Sequence, residues 1–327
     1  VRIAFLGKGG AGKTTTTSSF VEYVSKRHEL VIALDADVNV HLQDSLRFDG
    51  EPKELGELDD QMAALLKGDR TDLNGRAMIS STPPSLKSNF IRPVADDPFI
   101  QEFGLRRSNV VLLTVGPYSK GDVGGNCYHS KLSPYTMVLH HMLDTDNDVI
   151  VADTTAGTDN VATSLNLAYD LNVFVVEPTM KSISVYLDFL RLVPHLEDRV
   201  YVLANKIDGE EDMEFLRKHI PADRLLGAIP FSKNLKRFEQ GDQQAIVEFH
   251  KEQEAVFEKV YDALVAKKRD WTKYLELLRC AHEKVCVDWY NDYYSTNLGT
   301  GYDPEFSYEK VLALSQERTT ALEPALV

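Results

Sequence analysis

The sequence carries 327 residues, with 50 acidic side chains against 36 lysines and arginines and a formal net charge of −14. That balance argues against a surface for nonspecific DNA binding, which needs a basic face to displace counterions. No stretch approaches the ~20 apolar residues that cross a bilayer, so no membrane association is expected. Cys127, Cys280 and Cys286 are too few and too scattered for a disulfide framework, and the first residues read as a strand rather than a signal peptide; both suit the cytoplasm.

In chain order, Arg2–Leu6 is an apolar run that ends at Gly7, residues 14–26 follow with a helical pattern, and residues 31–34 form a second buried strand ending at Asp35. A strand, glycine loop, helix and strand are thus complete within the first 35 residues. Short β-branched runs return at 110–115, 148–152, 171–176 and 200–203, most of them followed by a loop and a helical pattern such as 182–192. This alternation predicts an α/β fold with a mostly parallel sheet flanked by helices on both faces. Active-site loops then belong at the carboxyl ends of the strands.

Residues 51–100 interrupt the pattern with Pro83, Pro84, Pro93, Pro98 and several aspartates, and read as an insertion of short helices and loops. Residues 241–268 are helical again. Beyond Arg269 the composition changes: Trp271, Trp289 and a cluster of tyrosines fall in a tail with a predicted helix over 271–290. The expected organisation is a nucleotide-binding domain over 1–268 and an aromatic-rich helical extension over 269–327, packed on the core through its aromatics.

Gly7-Lys8-Gly9-Gly10-Ala11-Gly12-Lys13-Thr14 matches the phosphate-binding pattern G-x-x-x-x-G-K-[ST]. Glycines at these positions let successive backbone N–H groups turn toward phosphate oxygens, and the helix starting near Lys13 adds its positive end. Lys13 is expected to neutralise the β- and γ-phosphates and the Thr14 hydroxyl to ligate Mg²⁺.

The string Lys8-Gly9-Gly10-Ala11-Gly12-Lys13-Thr14-Thr15 resembles the deviant Walker A motif of the MinD/ParA and nitrogenase iron-protein class of P-loop ATPases. In that class the additional lysine, here Lys8, reaches across a dimer interface to the partner's phosphates. The resemblance therefore implies ATP and Mg²⁺ as cofactors, ATP hydrolysis, and an ATP-dependent homodimer. Asp35-Ala36-Asp37-Val38-Asn39 resembles the class's switch I, which gives Asp37 the role of orienting the attacking water, with Asp35 and Asn39 supporting the loop. The family usually has proline where this chain has Val38, which keeps the charge but removes a rigid position. Asp153-Thr154-Thr155-Ala156-Gly157 ends a buried run and resembles the Walker B/switch II segment, which gives Asp153 the role of second Mg²⁺ ligand and leaves Gly157 free to respond to the γ-phosphate.

Asn205-Lys206-Ile207-Asp208 resembles the base-recognition segment, where an amide can both donate to and accept from adenine. Pro230 and Phe231 fall where the class lays a proline turn against the base. The same four residues match the NKxD pattern of guanine binders; the remaining motifs belong to the ATP-using branch, and ATP is preferred.

Together with Val-Val-Glu-Pro-Thr at 175–179, these motifs look like those of the nickel-insertion ATPases that mature carbon monoxide dehydrogenase, over about three quarters of the chain. That family carries a Cys-x-Cys pair before switch II and shares one metal between two subunits; here Cys127 and His129 stand in the corresponding segment. One thiolate and one imidazole per subunit would make a Cys₂His₂ set suited to Zn²⁺ or Ni²⁺, and a purely structural role for both residues stays open. Cys280, His282 and Cys286 are a weaker cluster, since 280 and 282 lie about 200° apart on a helix.

The function expected is an assembly ATPase acting on a client that the motifs do not specify. The alternative is a spatial-organisation ATPase like MinD or ParA. Proline and acids near the C-terminus argue against a basic membrane helix, and the overall charge argues against DNA. An iron–sulfur reductase would need two cysteines per subunit near the interface, where this chain offers Cys127 alone.

Overall fold

The computed structural model describes residues 1–73, 78–122, 128–242, 244–295 and 302–322. Its frame is an eight-stranded sheet: β1 (Arg2–Leu6), β2 (Val31–Ala36), β3 (Leu105–Arg107), β4 (Val110–Thr114), β5 (Val149–Thr154), β6 (Leu171–Val176), β7 (Val200–Ile207) and β8 (Leu225–Pro230). The spatial order is β3-β4-β2-β5-β1-β6-β7-β8. All neighbours are parallel except β3, an antiparallel edge strand on β4.

The central strands β1, β2, β5 and β6 are buried at every position, as a parallel sheet covered on both faces requires. Their period of two divides them between two cores. Ile3, Phe5, Val31, Ala33, Val151 and Val175 pack with Phe20 and Val24 of the helix Lys13–Ser25 and with Phe257 and Val260 of the helix Ala245–Val265. Ala4, Leu6, Ile32, Leu34, Ala152 and Phe174 face the other way, onto Met62, Leu139, Ile183 and Phe189. From β1 the chain moves toward β2 on one side and from the neighbouring β6 toward β7 on the other, so the winding reverses between β1 and β6, the point at which open α/β sheets bind ligands beyond the carboxyl ends of their strands.

Two strands escaped the sequence reading. Residues 229–231, read as a turn, begin inside β8, which is a half-exposed edge strand interrupted by Gly227 and so lacks both an apolar run and clean alternation. β3 is three residues long. Within 51–100 the chain forms the helix Asp59–Lys67 and the helix Pro98–Phe103, which Asp97 caps by accepting from the Phe99 and Ile100 N–H groups.

The tail's helix Trp271–Val285 passes into a π-helical turn, Cys286–Tyr290. Tyr274, Leu275, Tyr290, Phe306 and Tyr308 join the same core as Leu139 and Phe174. Trp271 stacks on Tyr308 at 4.5 Å between centroids, and the Tyr308 hydroxyl donates to the His140 carbonyl at 2.7 Å.

Candidate functional site

The loop between β1 and its helix shows why glycine recurs there. Gly7 has φ +140°, and a Cβ on it would stand 2.5 Å from the Val175 carbonyl oxygen. Gly12 has φ +96°, and a Cβ there would meet the Asn205 amide nitrogen at 2.3 Å. Any side chain would thus be strained in conformation and blocked in space. Gly12 is also the residue before the helix Lys13–Ser25; no side chain caps that end and no acid occupies its first turn. The terminal N–H groups and the positive end of the helix are left for an anion.

Three carboxylates and one lysine converge beside this loop. Lys13 is buried, with its Nζ 4.0 Å from Asp37 Oδ2. Asp37 Oδ1 accepts from Asn39 twice, from the backbone N–H at 2.9 Å and the side-chain amide at 2.8 Å. Asp35 accepts from the N–H groups of Asp37 at 3.2 Å and Leu42 at 3.0 Å, which ties down the loop after β2. Val40, at φ +49°, is a β-branched residue in the left-handed region, a conformation that costs on the order of 1–3 kcal/mol. The loop stores that strain next to the site.

Asp153, at the end of β5, is fully buried and accepts from the hydroxyls of Thr14 at 2.6 Å and Thr17 at 3.3 Å. Burial pushes the carboxyl of Asp35 up to about 8, assisted by the neighbouring charge of Asp153. Burial likewise raises Asp153 to about 7 against the opposing Thr14 hydrogen bond and the charge of Lys13. Carboxylates so poorly compensated suit a bound cation, and the donors at hand, a hydroxyl and a carboxylate, are the hard oxygens that Mg²⁺ takes. Gly157 donates its N–H to the Gly7 carbonyl at 3.1 Å, coupling the loop after β5 to the glycine loop.

Asn205 lies beneath the glycine loop, where its amide donates to the Ala11 carbonyl at 2.7 Å. Its neighbour Lys206 was not singled out from the sequence. It sits at a register shift between β7 and β8 with φ +59°, and its ammonium reaches the Gly10 carbonyl at 2.7 Å and Glu177 Oε1 at 2.8 Å. Glu177 also faces Lys8, whose Nζ lies 3.4 Å from Oε2. A carboxylate at the carboxyl end of β6 was the available signal for Glu177, read only as part of a motif.

The other sequence candidates are more dispersed. Thr15 lines a cleft of about 120 Å³ with Ser18, Glu22, Leu235, Phe238 and His250, smaller than the ~300 Å³ at which ligand pockets usually begin. Pro230 is exposed and Phe231 is 59% exposed. His129 stands on the helix Tyr128–His140 with its Nε2 buried and without a hydrogen-bond partner, whereas Cys127 lies outside the described residues. Cys280 is exposed; Cys286 is buried with its Sγ 3.7 Å from His282 Nε2. Among the described residues no group of three or more His, Cys, Asp or Glu side chains could hold a metal ion. No helix among them is long and apolar enough to cross a membrane.

A parallel sheet whose first strand runs through this glycine loop into a helix, with an aspartate at the end of the adjacent strand, defines a P-loop nucleotide-binding fold. The chain belongs to the CobQ/CobB/MinD/ParA nucleotide-binding domain family, whose model matches residues 3–245. It is 25% identical over 241 residues to the carbon monoxide dehydrogenase accessory protein CooC of Rhodospirillum rubrum, covering 73% of this chain and 87% of that protein. It is 24% identical over 242 residues to an uncharacterized ATP-binding protein of Methanocaldococcus jannaschii, covering 72% and 90%. Among solved structures, the ParA family ATPase from Chlorobium tepidum TLS shares the fold with a TM-score of 0.53 and 15% identity, over 80% of this chain and 98% of that one.

Proposed function

We propose that this protein is an Mg²⁺-dependent ATPase that closes as a homodimer around ATP and uses the cycle to assemble or mature a client. The observation that carries the reading is the convergence of Lys13, Thr14, Asp37 and Asp153 on the glycine loop. The ATP-binding relative and the accessory-protein relative support ATP and an assembly role, respectively. The backbone N–H groups from Gly9 to Thr15 and the Lys13 ammonium bind the triphosphate. Thr14 and Asp153 would hold Mg²⁺, which supplies charge neutralisation to the β- and γ-oxygens when bound. Asp37 keeps Oδ1 occupied by Asn39, so Oδ2 is the oxygen that orients the attacking water and takes up its proton.

Lys8 is 37% exposed at the mouth of the loop and is the residue assigned to the second subunit's phosphates, as in deviant Walker A ATPases. Asn205, Pro230 and Phe231 are assigned to the base; for Asn205 this means exchanging its present bond to Ala11 or using its carbonyl oxygen. Cys127 and His129 are proposed to share one Zn²⁺ or Ni²⁺ with their counterparts across the dimer, a role that fits the unpartnered Nε2 of His129. The organisation into an ATPase domain over 1–268 and an extension over 269–327 goes with this reading, the extension being the element left for the client.

Size-exclusion chromatography with light scattering, without nucleotide and with a non-hydrolysable ATP analogue, tests the proposal. The wild type should become a dimer only with the analogue. Asp37→Ala should bind ATP and dimerise but hydrolyse it ~100-fold or more slowly; Lys8→Ala should bind ATP and stay monomeric. Normal turnover in both variants would remove the mechanism. Half a metal ion per chain in the dimer peak, lost with Cys127→Ser, is the expected sign of the shared metal.

A further inference from the structure

Around the glycine loop the described charges are not all directed inward. The carboxylate of Glu177 is only 16% exposed and has a lysine on each oxygen: Lys206 at 2.8 Å on Oε1 and Lys8 at 3.4 Å on Oε2. The two lysines are held very differently. Lys206 is aimed by the backbone, because the irregular register between β7 and β8 and its φ of +59° turn the side chain over the loop, where it also bonds the Gly10 carbonyl. Irregularities of this kind re-aim side chains beside functional sites. Lys8 has only the longer contact to Glu177 and a 3.2 Å bond to the carbonyl of its neighbour Gly9. Of the three groups, Lys206 and Glu177 form the fixed pair and Lys8 is the one free to leave.

We infer that Glu177 is a latch that holds Lys8 back over its own subunit's loop, so that Lys8 must give up Glu177 before it can reach the phosphates of a second copy. The inference rests on the reading of Lys8 as the residue that crosses between subunits. Lys206 sets the strength of the latch, since it already neutralises part of the Glu177 charge. The carboxylate is held below its usual range by both lysines against the opposing effect of burial, so it stays charged and the latch is set throughout the neutral range. The Glu177 carboxylate is held by Lys8 and Lys206 and acts through Lys8; it is a positioning residue.

The two members of the fixed pair should shift dimerisation in opposite directions. Glu177→Gln keeps an oxygen for Lys206 to donate to but removes the charge that retains Lys8. Its dimer with a non-hydrolysable ATP analogue should be roughly two- to fivefold tighter than wild type for each latch released, the range for a part-exposed ion pair. Lys206→Gln leaves Glu177 to Lys8 alone and should weaken the dimer by a comparable factor. Sedimentation of both variants and wild type over a concentration series reads these constants, and the gap between Glu177→Gln and wild type should shrink at ~0.5 M salt. A purely structural brace predicts weakening in both variants. If wild type dimerises and Glu177→Gln dimerises equally or less well, the latch is wrong while the ATPase reading stands. If wild type binds the analogue and remains monomeric at every concentration, the dimer reading and the latch fall together.

Discussion

At the amino end of β1, the side chains of Arg2 and Arg269 are buried with those of Asp144 and Asp170; at its carboxyl end, Asp35, Asp37 and Asp153 are buried with Lys13. The first group has a guanidinium bonded directly to each carboxylate, with the Val1 amino group 3.5 Å from Asp144 as a further cation. Asp144 accepts from Arg2 Nε and Arg269 Nη1, both at 2.9 Å, and Asp170 accepts from Arg269 at 2.8 and 2.6 Å. Arg2 and Arg269 hold the Asp144 carboxyl far below its ordinary range against the effect of burial. The second group has three carboxylates to one ammonium, which stands 4.0 Å off, and burial raises Asp35 and Asp153. Balanced charge joins the tail to the sheet as finished structure. Unbalanced charge of this kind is what the proposed Mg²⁺ and triphosphate would complete.

The sharpest way to break that comparison is to unbalance the balanced end. Arg269→Ala strands the buried Asp170 and takes one of its two guanidinium partners from Asp144, and should destabilise the fold by about 3–5 kcal/mol in urea unfolding, with the affinity of the folded protein for an ATP analogue unchanged. A loss below about 1 kcal/mol would mean the network does not carry the tail. Lys13→Ala should do the reverse: unfolding free energy within about 1 kcal/mol of wild type, but binding of a fluorescent ATP analogue weakened ~100-fold or more.

The pH dependence of the nucleotide-free, Mg²⁺-free protein separates the two ends further. Asp35 titrates higher folded than its ordinary 3.8, near 8, so its contribution is complete below the lower value and lost as pH rises through the upper one. Tm should therefore decline from about pH 4 to about pH 8, and Asp35→Asn should flatten the decline. Asp144 has the opposite sign: its contribution is present above 3.8 and is lost only on further acidification, as pH falls through its depressed folded value. A Tm that rises across the neutral range in wild type would contradict the assignment of Asp35. The smallest effect is expected at Tyr308→Phe, which removes the buried bond to the His140 carbonyl and should cost about 1 kcal/mol in the same unfolding experiment.

How much of this was legible depends on how local each feature is. The central strands and the helix after the glycine loop could be read because burial on both faces leaves unbroken apolar runs. The edge strands β3 and β8 could not, being short or half-exposed and held by pairing rather than by pattern. The same division runs through the site. Lys13, Thr14, Asp37 and Asp153 announce themselves by motif, and the fold does bring them together. Lys206 and Glu177 meet across 29 residues of chain, and only the irregular pairing of β7 with β8 directs the lysine back over the loop.

By itself, then, the sequence determined a parallel α/β fold with a phosphate loop between β1 and its helix, because glycine spacing and strand burial are properties of short windows. The tertiary structure decided which charges meet. Asn205 came to lie under the loop, Glu177 between two lysines, and Arg269 between two aspartates from separate segments. Such contacts depend on strand order and register, which no short window contains, and the energy of a buried charge is set by its neighbours in space.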